Sequence, residues 1–296
     1  MSGDSHNFIE NTRITEGLSQ GYLDRFSGIG RAYGSRAMTR LSQAHACVVG
    51  IGGVGTWVAE ALARSGIGQI TLIDLDEICV TNINRQLHAL TSTVGQSKVG
   101  VMASRLLEIN PELRVFAQEC FYTEKTEEML LGTVERPSPF DVVVDAIDQT
   151  ERKAKLIEAC FQREIPVVTC GAAGGRRAPH LITTDDLKRS THDGLLRRVK
   201  QILNRSTRFQ ELILQRVADS HQGSPKGESS SWGVPAVFST ERAVYPTLDG
   251  EVCHTSPSRE ALRLGCESGF GSLTFVTGTF GFVASSVAID LILSQG

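Results

Sequence analysis

The chain has 296 residues, a net charge of −3 at pH 7, 41% hydrophobic residues and 21% charged residues. These proportions are typical of a soluble globular protein with a full buried core, and the overall charge by itself argues against nucleic-acid binding. Seven scattered cysteines, an odd number, argue against a disulfide framework and favour reduced thiols and a cytoplasmic location.

The first 21 residues are polar and contain no long apolar run. They predict a flexible tail over residues 1–21, and they lack the apolar centre of a secretory signal. We therefore expect the folded part of the chain to begin near residue 22.

A glycine loop follows the first strand-like run. The apolar residues 47–49 lead into Gly50-x-Gly52-Gly53-x-Gly55, and residues 56–64 favour a helix. Glycines let backbone N–H groups and a helix N-terminus approach a phosphate that a side chain would block. The loop predicts a nucleotide site, but by itself it is shared with NAD- and FAD-binding folds.

A second apolar run, residues 69–73, ends in Asp74-x-Asp76. In dinucleotide-binding folds an acidic residue at this place binds a ribose hydroxyl. Asp74 is the candidate for that role, whereas Asp76 equally fits a cap for the turn that follows.

Three further residues favour ATP over NAD. Asn82, Arg85 and Lys98 follow shortly after the ribose carboxylate, the last of them in a predicted helix over residues 95–109. A pyrophosphate can be held by glycine amides and a helix dipole, whereas a triphosphate carries more charge and needs cations that follow it into the transition state. Arg85 and Lys98 are therefore catalytic candidates.

Asp148 follows another apolar strand, residues 140–145. Open parallel sheets place their ligands at the carboxyl ends of strands. A carboxylate there can hold Mg²⁺ against phosphates, so Asp148 is the metal-binding and catalytic candidate. Asp145 equally fits a residue that only ends its strand.

Strand-like and helix-like segments alternate from residue 46 to residue 168. This alternation predicts an α/β fold with a Rossmann-like, doubly wound, mostly parallel sheet, and a nucleotide-binding part over residues 22–170. The predicted strands are 46–50, 69–73, 113–117, 141–144 and 166–169.

Residues 171–296 break this alternation, and we expect a C-terminal substrate-binding extension within the same globular unit. The glycine-rich run 171–175 fits a tight turn, a wall of the acceptor site, or carbonyl ligands for a monovalent cation such as Na⁺ or K⁺. The other predicted elements are a strand at 180–184, a helical region over 186–217, a mobile loop at 221–233 and a helix over 273–293.

The last of these helices is apolar enough to span a membrane by average hydropathy. It contains threonines, serines and Asp290, and no basic cluster flanks it. These features favour a helix buried in the core or at a dimer interface over a transmembrane span.

Basic residues concentrate between residues 188 and 208. They are Lys188, Arg189, Arg197, Arg198, Lys200, Arg205 and Arg208, and Arg176 and Arg177 add to them. The stretch fits either a surface that follows nucleic-acid phosphates or a solvated helix face.

Taken together, these motifs resemble the ubiquitin-activating-enzyme-like (ThiF/MoeB-type) superfamily of ATP-dependent adenylyltransferases. Within it, the chain resembles the tRNA threonylcarbamoyladenosine dehydratase branch over residues 22–294. The narrower resemblance rests on Arg25-Phe26-x-Gly28-x-x-Arg31-x-Tyr33-Gly34, Val237-Phe238-Ser239-Thr240-Glu241, Ser268-Gly269-Phe270-Gly271 and Thr279-Phe280-Gly281-Phe282.

The resemblance implies a reaction. The carboxylate of the threonylcarbamoyl group, on an adenosine beside the tRNA anticodon, is activated with ATP, and loss of the activated oxygen then closes the group into a ring. The nucleotide-binding residues that the resemblance implies are Gly52, Gly53, Gly55, Asp74, Asn82, Arg85 and Lys98, with Asp148 for Mg²⁺.

The resemblance also implies partners. Relatives are homodimers in which an arginine from the N-terminal segment of the opposite subunit reaches the ATP. Arg31 is the candidate for that arginine, with Arg25 second. A sulfur-transfer partner, such as a cysteine desulfurase, is left open.

Two other functions remain open. An adenylyltransferase that activates the C-terminus of a ubiquitin-like sulfur-carrier protein usually carries two Cys-x-x-Cys pairs for zinc, which this chain lacks. An NAD-dependent oxidoreductase would leave Arg85 and Lys98 unexplained. Ala236 stands where some dehydratase relatives have a cysteine, so we expect no mechanism through a cysteine there.

Overall fold

The computed structural model describes residues 17–133, 137–220, 231–247, 249–255 and 271–295, with only the backbone for 217–220. Three predicted features lie outside the described residues. They are most of the tail (1–16), residues 221–230 of the mobile loop, and Ser268-Gly269-Phe270.

Helices and strands alternate along the described chain. The helices are α1 (Gln20–Tyr33), α2 (Ser35–Gln43), α3 (Gly55–Arg64), α4 (Lys98–Ile109), α5 (Glu127–Leu131), α6 (Thr150–Gln162), α7 (Gly194–Arg205), α8 (Thr207–Ser220) and α9 (Thr274–Leu293). The strands are β1 (His45–Val49), β2 (Gln69–Ile73), β3 (Arg114–Gln118), β4 (Val142–Asp145), β5 (Val167–Cys170), β6 (Ile182–Asp186), β7 (Pro235–Ser239), β8 (Tyr245–Pro246) and β9 (Val252–Cys253). Short 3₁₀ helices occupy Val80–Asn82, Thr91–Thr93, Pro179–Leu181 and Leu187–Arg189.

Strands β1 to β7 form a seven-stranded sheet in the order β3-β2-β1-β4-β5-β7-β6. Neighbouring strands are parallel except β6, which pairs antiparallel with β7. The predicted α/β, doubly wound, mostly parallel sheet is confirmed. The strand order reverses between β1 and β4, and this is the point at which open parallel sheets bind their ligands.

Helices cover both faces of the sheet. Val48 of β1 packs with α3 and α9, whereas its neighbours Cys47 and Val49 pack with α6 and α7 on the opposite face. Strands β1, β4 and β5 are buried along their whole length, which is why they are mostly apolar in the sequence. Each contains one buried polar residue, namely His45, Asp145 and Thr169.

The C-terminal helix α9 is long and apolar enough to cross a membrane by length and composition. Its core residues are Val276, Phe280, Ala284 and Ala288. Gly281 lies so close to α3 that a Cβ there would be 2.5 Å from the Cβ of Trp57. This face is buried in the core, as predicted, whereas Phe275 and Phe282 on another face are exposed.

Serine caps set the start of two helices. Ser19 caps α1 and donates a 2.6 Å hydrogen bond to Glu112 Oε1. Helix α1 therefore begins at Gln20, inside the segment predicted to be a tail. Ser97 caps α4, which begins at Lys98 rather than at residue 95.

The region predicted as helical over 186–217 contains two helices rather than one. A 3₁₀ turn and an irregular segment precede α7, and Ser206 separates α7 from α8. The Asp193 carboxylate accepts a hydrogen bond from the Leu196 N–H and so caps α7. The strand predicted at 180–184 is β6, which lies two residues further along the chain.

The predicted mobile loop 221–233 ends in a fixed segment. The Asp186 carboxylate, at the end of β6, accepts hydrogen bonds from the N–H groups of Trp232, Gly233 and Val234 at 3.0, 2.8 and 3.2 Å. These bonds hold the chain where it enters β7, and the mobility of the loop stays a prediction.

A buried ion pair lies beneath the turn that follows β4. The Lys153 ammonium of α6 is 2.9 Å from Asp145 Oδ2, and both side chains have no exposed surface. Thr169 Oγ1 donates a 2.7 Å hydrogen bond to the same oxygen. Burial raises the pKa of the Asp145 carboxyl, and the Lys153 ammonium opposes that shift.

We predict that Lys153→Met destabilises the protein by about 3–5 kcal/mol, because it leaves a buried carboxylate without its partner. The matched control is Lys155→Met, whose exposed ion pair with Glu124 should contribute less than about 1 kcal/mol. Urea unfolding of both variants measures the difference. Equal, small losses would show that the buried pair is not needed for stability.

Candidate active site

A cavity of about 1050 Å³ opens at the carboxyl ends of the parallel strands. Its walls are the segments that follow β1, β2, β4 and β5, where the strand order reverses. Predicted site residues that line it are Gly52, Gly53, Asp74, Asn82, Arg85, Lys98 and Asp148. The fold therefore brings most of the predicted nucleotide site together.

The glycines of the loop have different roles. Gly52 and Gly53 line the cavity, as predicted for residues next to a nucleotide. Gly55 does not line it, because it begins α3 and packs on the loop, where a Cβ would be 1.8 Å from the Gly50 carbonyl oxygen. Gly50 has φ +90°, and a Cβ there would be 2.9 Å from the carbonyl oxygen of Ala146. Gly50 and Gly55 thus allow close backbone packing, and the prediction that Gly55 lets the nucleotide approach is corrected.

Asp74 supports the glycine loop as well as facing the cavity. Its Oδ2 accepts a 2.7 Å hydrogen bond from the Ile51 N–H, and its Oδ1 accepts a 2.9 Å bond from the Asp76 N–H. Each carboxylate oxygen has two lone pairs, so both retain acceptor capacity for ribose hydroxyls.

The two predicted cations are held on the same side of the cavity. Lys98 Nζ forms a 2.8 Å ion pair with Asp76 Oδ2, and the lysine side chain is buried. Arg85 Nη1 donates to the carbonyl of Thr81 at 2.6 Å, and its own carbonyl accepts a 3.2 Å bond from Thr277 Oγ1 of α9. The guanidinium and the ammonium are therefore positioned by the protein before any ligand arrives.

Asp148 is exposed on the turn between β4 and α6. The turn is held at both ends, since Asp145 Oδ1 accepts from the Ile147 N–H and the Gln149 side chain caps α6. Among the described residues, no group of three or more His, Cys, Asp or Glu side chains could hold a metal ion. A cation at Asp148 would need phosphate oxygens to complete its coordination.

The candidate arginines of α1 lie outside this cavity. Arg31 is exposed in the last turn of α1 and is not a lining residue. Arg25 donates to the Gly21 carbonyl of its own helix at 2.9 Å. Neither arginine contributes to the cavity of its own chain, and a role across a dimer stays a prediction.

The second end of the cavity is formed by residues after β5. Ala172, Ala173 and Gly174 line it. The Asp193 carboxylate holds this run by accepting a 2.8 Å hydrogen bond from the Ala172 N–H, and a Cβ on Gly171 would be 2.3 Å from Asp193 Oδ2. The glycine-rich sequence is therefore required for close packing against the start of α7.

Several arginines that were not predicted as site residues line this cavity. They are Arg152, Arg176, Arg197, Arg198 and Arg242. Arg197 and Arg198 belong to the predicted basic stretch and are exposed on α7. Arg176 was placed on the same surface, but it is only 2% exposed. The feature of the sequence that distinguishes Arg176 from the other arginines is its position directly after the glycine-rich run 171–175.

His88 lies beneath the glycine loop and was not predicted to matter. It is 2% exposed, and its Nε2 lies 3.0 Å from the Ile51 carbonyl oxygen. Burial lowers the pKa of His88 from 6.5 to about 4, and the nearby Lys98 adds to this effect. The imidazole is neutral at pH 7 and supports the loop from below.

The glycine loop, the ribose-type carboxylate and the two positioned cations at the sheet switch point define an α/β nucleotide-binding protein of the adenylyltransferase type. The chain belongs to the ThiF family, whose sequence model matches residues 27–295.

Within the family, individual proteins are similar to this chain over different lengths. The chain is 43% identical over 279 residues to the tRNA threonylcarbamoyladenosine dehydratase of Escherichia coli K12, covering 94% of this chain and 97% of that protein. The solved structure of E. coli tRNA N6-threonylcarbamoyladenosine dehydratase, TcdA, in complex with ATP is similar with a TM-score of 0.74 at 40% identity, over 94% of this chain and 97% of that one. The adenylyltransferase and sulfurtransferase MOCS3 of Anopheles gambiae is 37% identical over 139 residues, 47% of this chain and 30% of that protein.

We predict that the protein loses stability as the pH falls from 6.5 to about 4, with His88 contributing at most about 1.4 kcal/mol per pH unit. Between these pH values His88 is protonated in the unfolded chain but neutral in the folded chain, because its pKa is lower in the folded state. Below pH 4 both states are protonated at this site, and the loss stops. Denaturant unfolding at several pH values should give a flatter profile for His88→Gln. The exposed His180→Asn is the control, and a His88→Gln profile that matches it would contradict the prediction.

Proposed function

We propose that this protein catalyses the ATP-dependent dehydration, or cyclisation, of threonylcarbamoyladenosine next to the anticodon of tRNA. The observation that carries the proposal is a single cavity that is lined both by the predicted ATP ligands and by five arginines, Arg152, Arg176, Arg197, Arg198 and Arg242. The similarity to the E. coli dehydratase supports it, because that similarity extends over 94% of this chain and 97% of that protein.

The nucleotide end has the groups that ATP needs. Asp74 binds the ribose, and Asn82, Arg85 and Lys98 surround the phosphates, with Gly52 and Gly53 allowing close approach. Arg85 and Lys98 are the catalytic cations, because the negative charge that moves to the leaving pyrophosphate requires fixed positive groups. All of these residues line the same cavity, which supports these roles.

The chemistry follows from the poor leaving ability of a carboxylate oxygen. An oxygen of the threonylcarbamoyl carboxylate attacks the α-phosphorus of ATP, a P–O bond forms, and the bond to pyrophosphate breaks. An internal nucleophile of the same group then attacks the activated carbonyl carbon, and AMP leaves with the original carboxylate oxygen. The net change of the nucleoside is loss of water.

The residues present fit Mg²⁺ bound together with the nucleotide. Asp148 supplies the carboxylate, and Mg²⁺ is typically held by one or two carboxylates and the substrate phosphates. When bound, the ion would neutralise phosphate charge. A monovalent cation, Na⁺ or K⁺, is a second proposal, since Ala172, Ala173 and Gly174 carry backbone carbonyls at the cavity wall.

Binding of tRNA is proposed for the basic face that continues from the cavity onto α7. Arg197 and Arg198 line the cavity and are exposed, and Arg177 is exposed beside it. This local charge supplies a surface that follows phosphates even though the whole chain is acidic.

A homodimer is proposed, with Arg31 of each subunit reaching the nucleotide of the other. The chain exposes large apolar residues, namely Leu75, Val80, Ile83, Leu90, Val94, Phe275 and Phe282. Such residues are typical of a surface that another subunit covers. Arg31 is itself exposed and thus available to a partner.

The sulfur-carrier alternative is the weaker proposal. The MOCS3 similarity covers less than half of this chain, and the chain lacks paired Cys-x-x-Cys motifs. The six described cysteines are free thiols, consistent with a proposed cytoplasmic location. A sulfur-transfer partner such as a cysteine desulfurase is tested by adding it to the reaction below.

The test is incubation with ATP and tRNA that carries threonylcarbamoyladenosine, followed by mass analysis of the nucleosides. We expect the modified nucleoside to lose one water only when ATP is present, with formation of AMP and pyrophosphate. Pyrophosphate exchange that depends on a ubiquitin-like carrier protein, with no change in the tRNA, would replace this function by the alternative. Binding of NAD without binding of ATP would overturn both.

We predict that Arg85→Ala and Lys98→Ala each lower kcat by about 100-fold or more, because both cations meet developing phosphate charge. The melting temperature should change little, since Arg85 is only half-buried and the Asp76 partner of Lys98 is exposed. Lys155→Ala is the control, because that lysine also pairs with a carboxylate but lies outside the cavity. Collapsed melting with normal activity per folded molecule would assign both residues a structural role instead.

A further inference from the structure

Arg176 differs from the other arginines of the cavity wall in its burial. It is 2% exposed, whereas Arg152 is half-buried and Arg197, Arg198 and Arg242 are exposed. Exposed arginines keep their hydration, so they meet the outer part of a large ligand. A buried arginine on the same wall can contact only a group that enters the cavity deeply.

The backbone on both sides of Arg176 is fixed. The Gly175 N–H donates to the Gly271 carbonyl at 2.8 Å, and the Gly175 carbonyl accepts from the Val244 N–H at 2.9 Å. Glu241 Oε2 accepts hydrogen bonds from the N–H groups of Arg177 and Ala178 at 2.9 and 3.0 Å. The guanidinium is therefore positioned in advance rather than free to turn towards solvent.

The guanidinium itself is only partly hydrogen-bonded. Its Nη2 donates a 2.6 Å bond to the His192 carbonyl. Its Nε and Nη1 are buried and have no hydrogen-bond partner among the described residues. A guanidinium carries five N–H donors, so most of its donor capacity at this wall is unused.

Asp193 and Glu241 act on Arg176 through their charges but do not form a direct ion pair with it. Asp193 uses one oxygen for the Leu196 N–H and the other for the Ala172 N–H. Glu241 uses Oε2 for the backbone beside Arg176. Within the described residues, no carboxylate forms an ion pair with the Arg176 guanidinium at 4.0 Å or less.

An unpaired, buried cation is unfavourable for the free protein. Burial accordingly lowers the pKa of Arg176, although an arginine in a protein stays protonated. Such a group is retained at a cavity wall when a ligand supplies the missing acceptor oxygens.

We propose that Arg176 binds the carboxylate of the threonylcarbamoyl group and thereby selects modified over unmodified tRNA. This inference rests on the function proposed above. The planar guanidinium matches the two oxygens of a carboxylate, and the carboxylate must reach deep into the cavity to meet the nucleotide. A backbone phosphate of folded tRNA stays at the entrance, where Arg197, Arg198 and Arg242 are exposed.

Selection follows from the cost of leaving Arg176 unpaired. A tRNA with plain adenosine at this position brings no carboxylate, so its complex keeps the buried guanidinium without a partner. Sites built around buried polar groups reject ligands that lack the matching group.

The experiment measures equilibrium binding of two tRNAs in the presence of a non-hydrolysable ATP analogue. One tRNA carries threonylcarbamoyladenosine, and the other carries adenosine at the same position. For Arg176→Gln we expect the affinity ratio between the two tRNAs to fall about tenfold or more, through weaker binding of the modified tRNA alone. The control Arg177→Gln removes an adjacent exposed arginine and should weaken both tRNAs by the same factor.

A second measurement separates binding from structural support. Without ligands, Arg176→Gln should melt at the same temperature as the wild type or higher, because it removes an unpaired buried charge. Arg176→Lys keeps the charge but not the planar pair of donors, and it should give an intermediate ratio. If Arg176→Gln does not fold, the binding of the two tRNAs is measured with Arg176→Lys instead.

If the wild type binds the modified tRNA more tightly and Arg176→Gln keeps the same affinity ratio, the role of Arg176 is contradicted while the proposed function stands. That role is contradicted as well if Arg176→Gln weakens both tRNAs equally, which would indicate a phosphate contact, or if its melting temperature falls sharply, which would indicate a structural role. A wild type that neither separates the two tRNAs nor dehydrates the modified one would overturn the proposed function together with this inference.

Discussion

The turn after β4 depends on the buried carboxylate of Asp145, and both walls of the cavity depend on that turn. One carboxylate oxygen of Asp145 accepts hydrogen bonds from Lys153 Nζ and Thr169 Oγ1, and the other accepts one from the Ile147 N–H. These bonds fix the backbone at Ala146, against which Gly50 packs too closely for any side chain. The glycine loop on one side and Asp148 on the other therefore take their positions from a single buried anion. A desolvated ion pair is costly to form, but once formed it is difficult to displace.

Four acidic residues near the cavity hold backbone segments in place. Asp74, Asp186, Asp193 and Glu241 each accept hydrogen bonds from backbone N–H groups at the end of a strand, in a loop or at the start of a helix. Within the described part of the chain, none of these four carboxylates forms an ion pair with an arginine of the cavity. The cavity can thus be cationic in a chain whose formal net charge is −3. Net charge describes the whole surface, whereas ligand binding depends on the local arrangement of charges.

Predictions from the sequence were most accurate where a local pattern has a strong physical cause. The buried strands β1, β4 and β5 are mostly apolar because both faces of a parallel sheet are covered, and the glycines of the loop occur where the backbone packs closely. Predictions failed where a distant side chain decides the outcome. Asp193 accepts a hydrogen bond from the Ala172 N–H, 21 residues earlier in the chain, and Asp186 accepts one from the Gly233 N–H, 47 residues later. No window of neighbouring residues contains those contacts.

The sequence by itself determined the class of fold, the glycine-loop motif and the identity of several residues that line the cavity, because spacing along alternating strands and helices places them at one sheet edge. Only the tertiary structure decided which glycines face the cavity, that Gly55 is needed for packing, and that Arg176 is a wall residue and not part of the basic surface. These distinctions depend on burial and on partners from other segments. A buried guanidinium and an exposed one are the same residue type in a sequence, and they differ only in what the folded chain places around them.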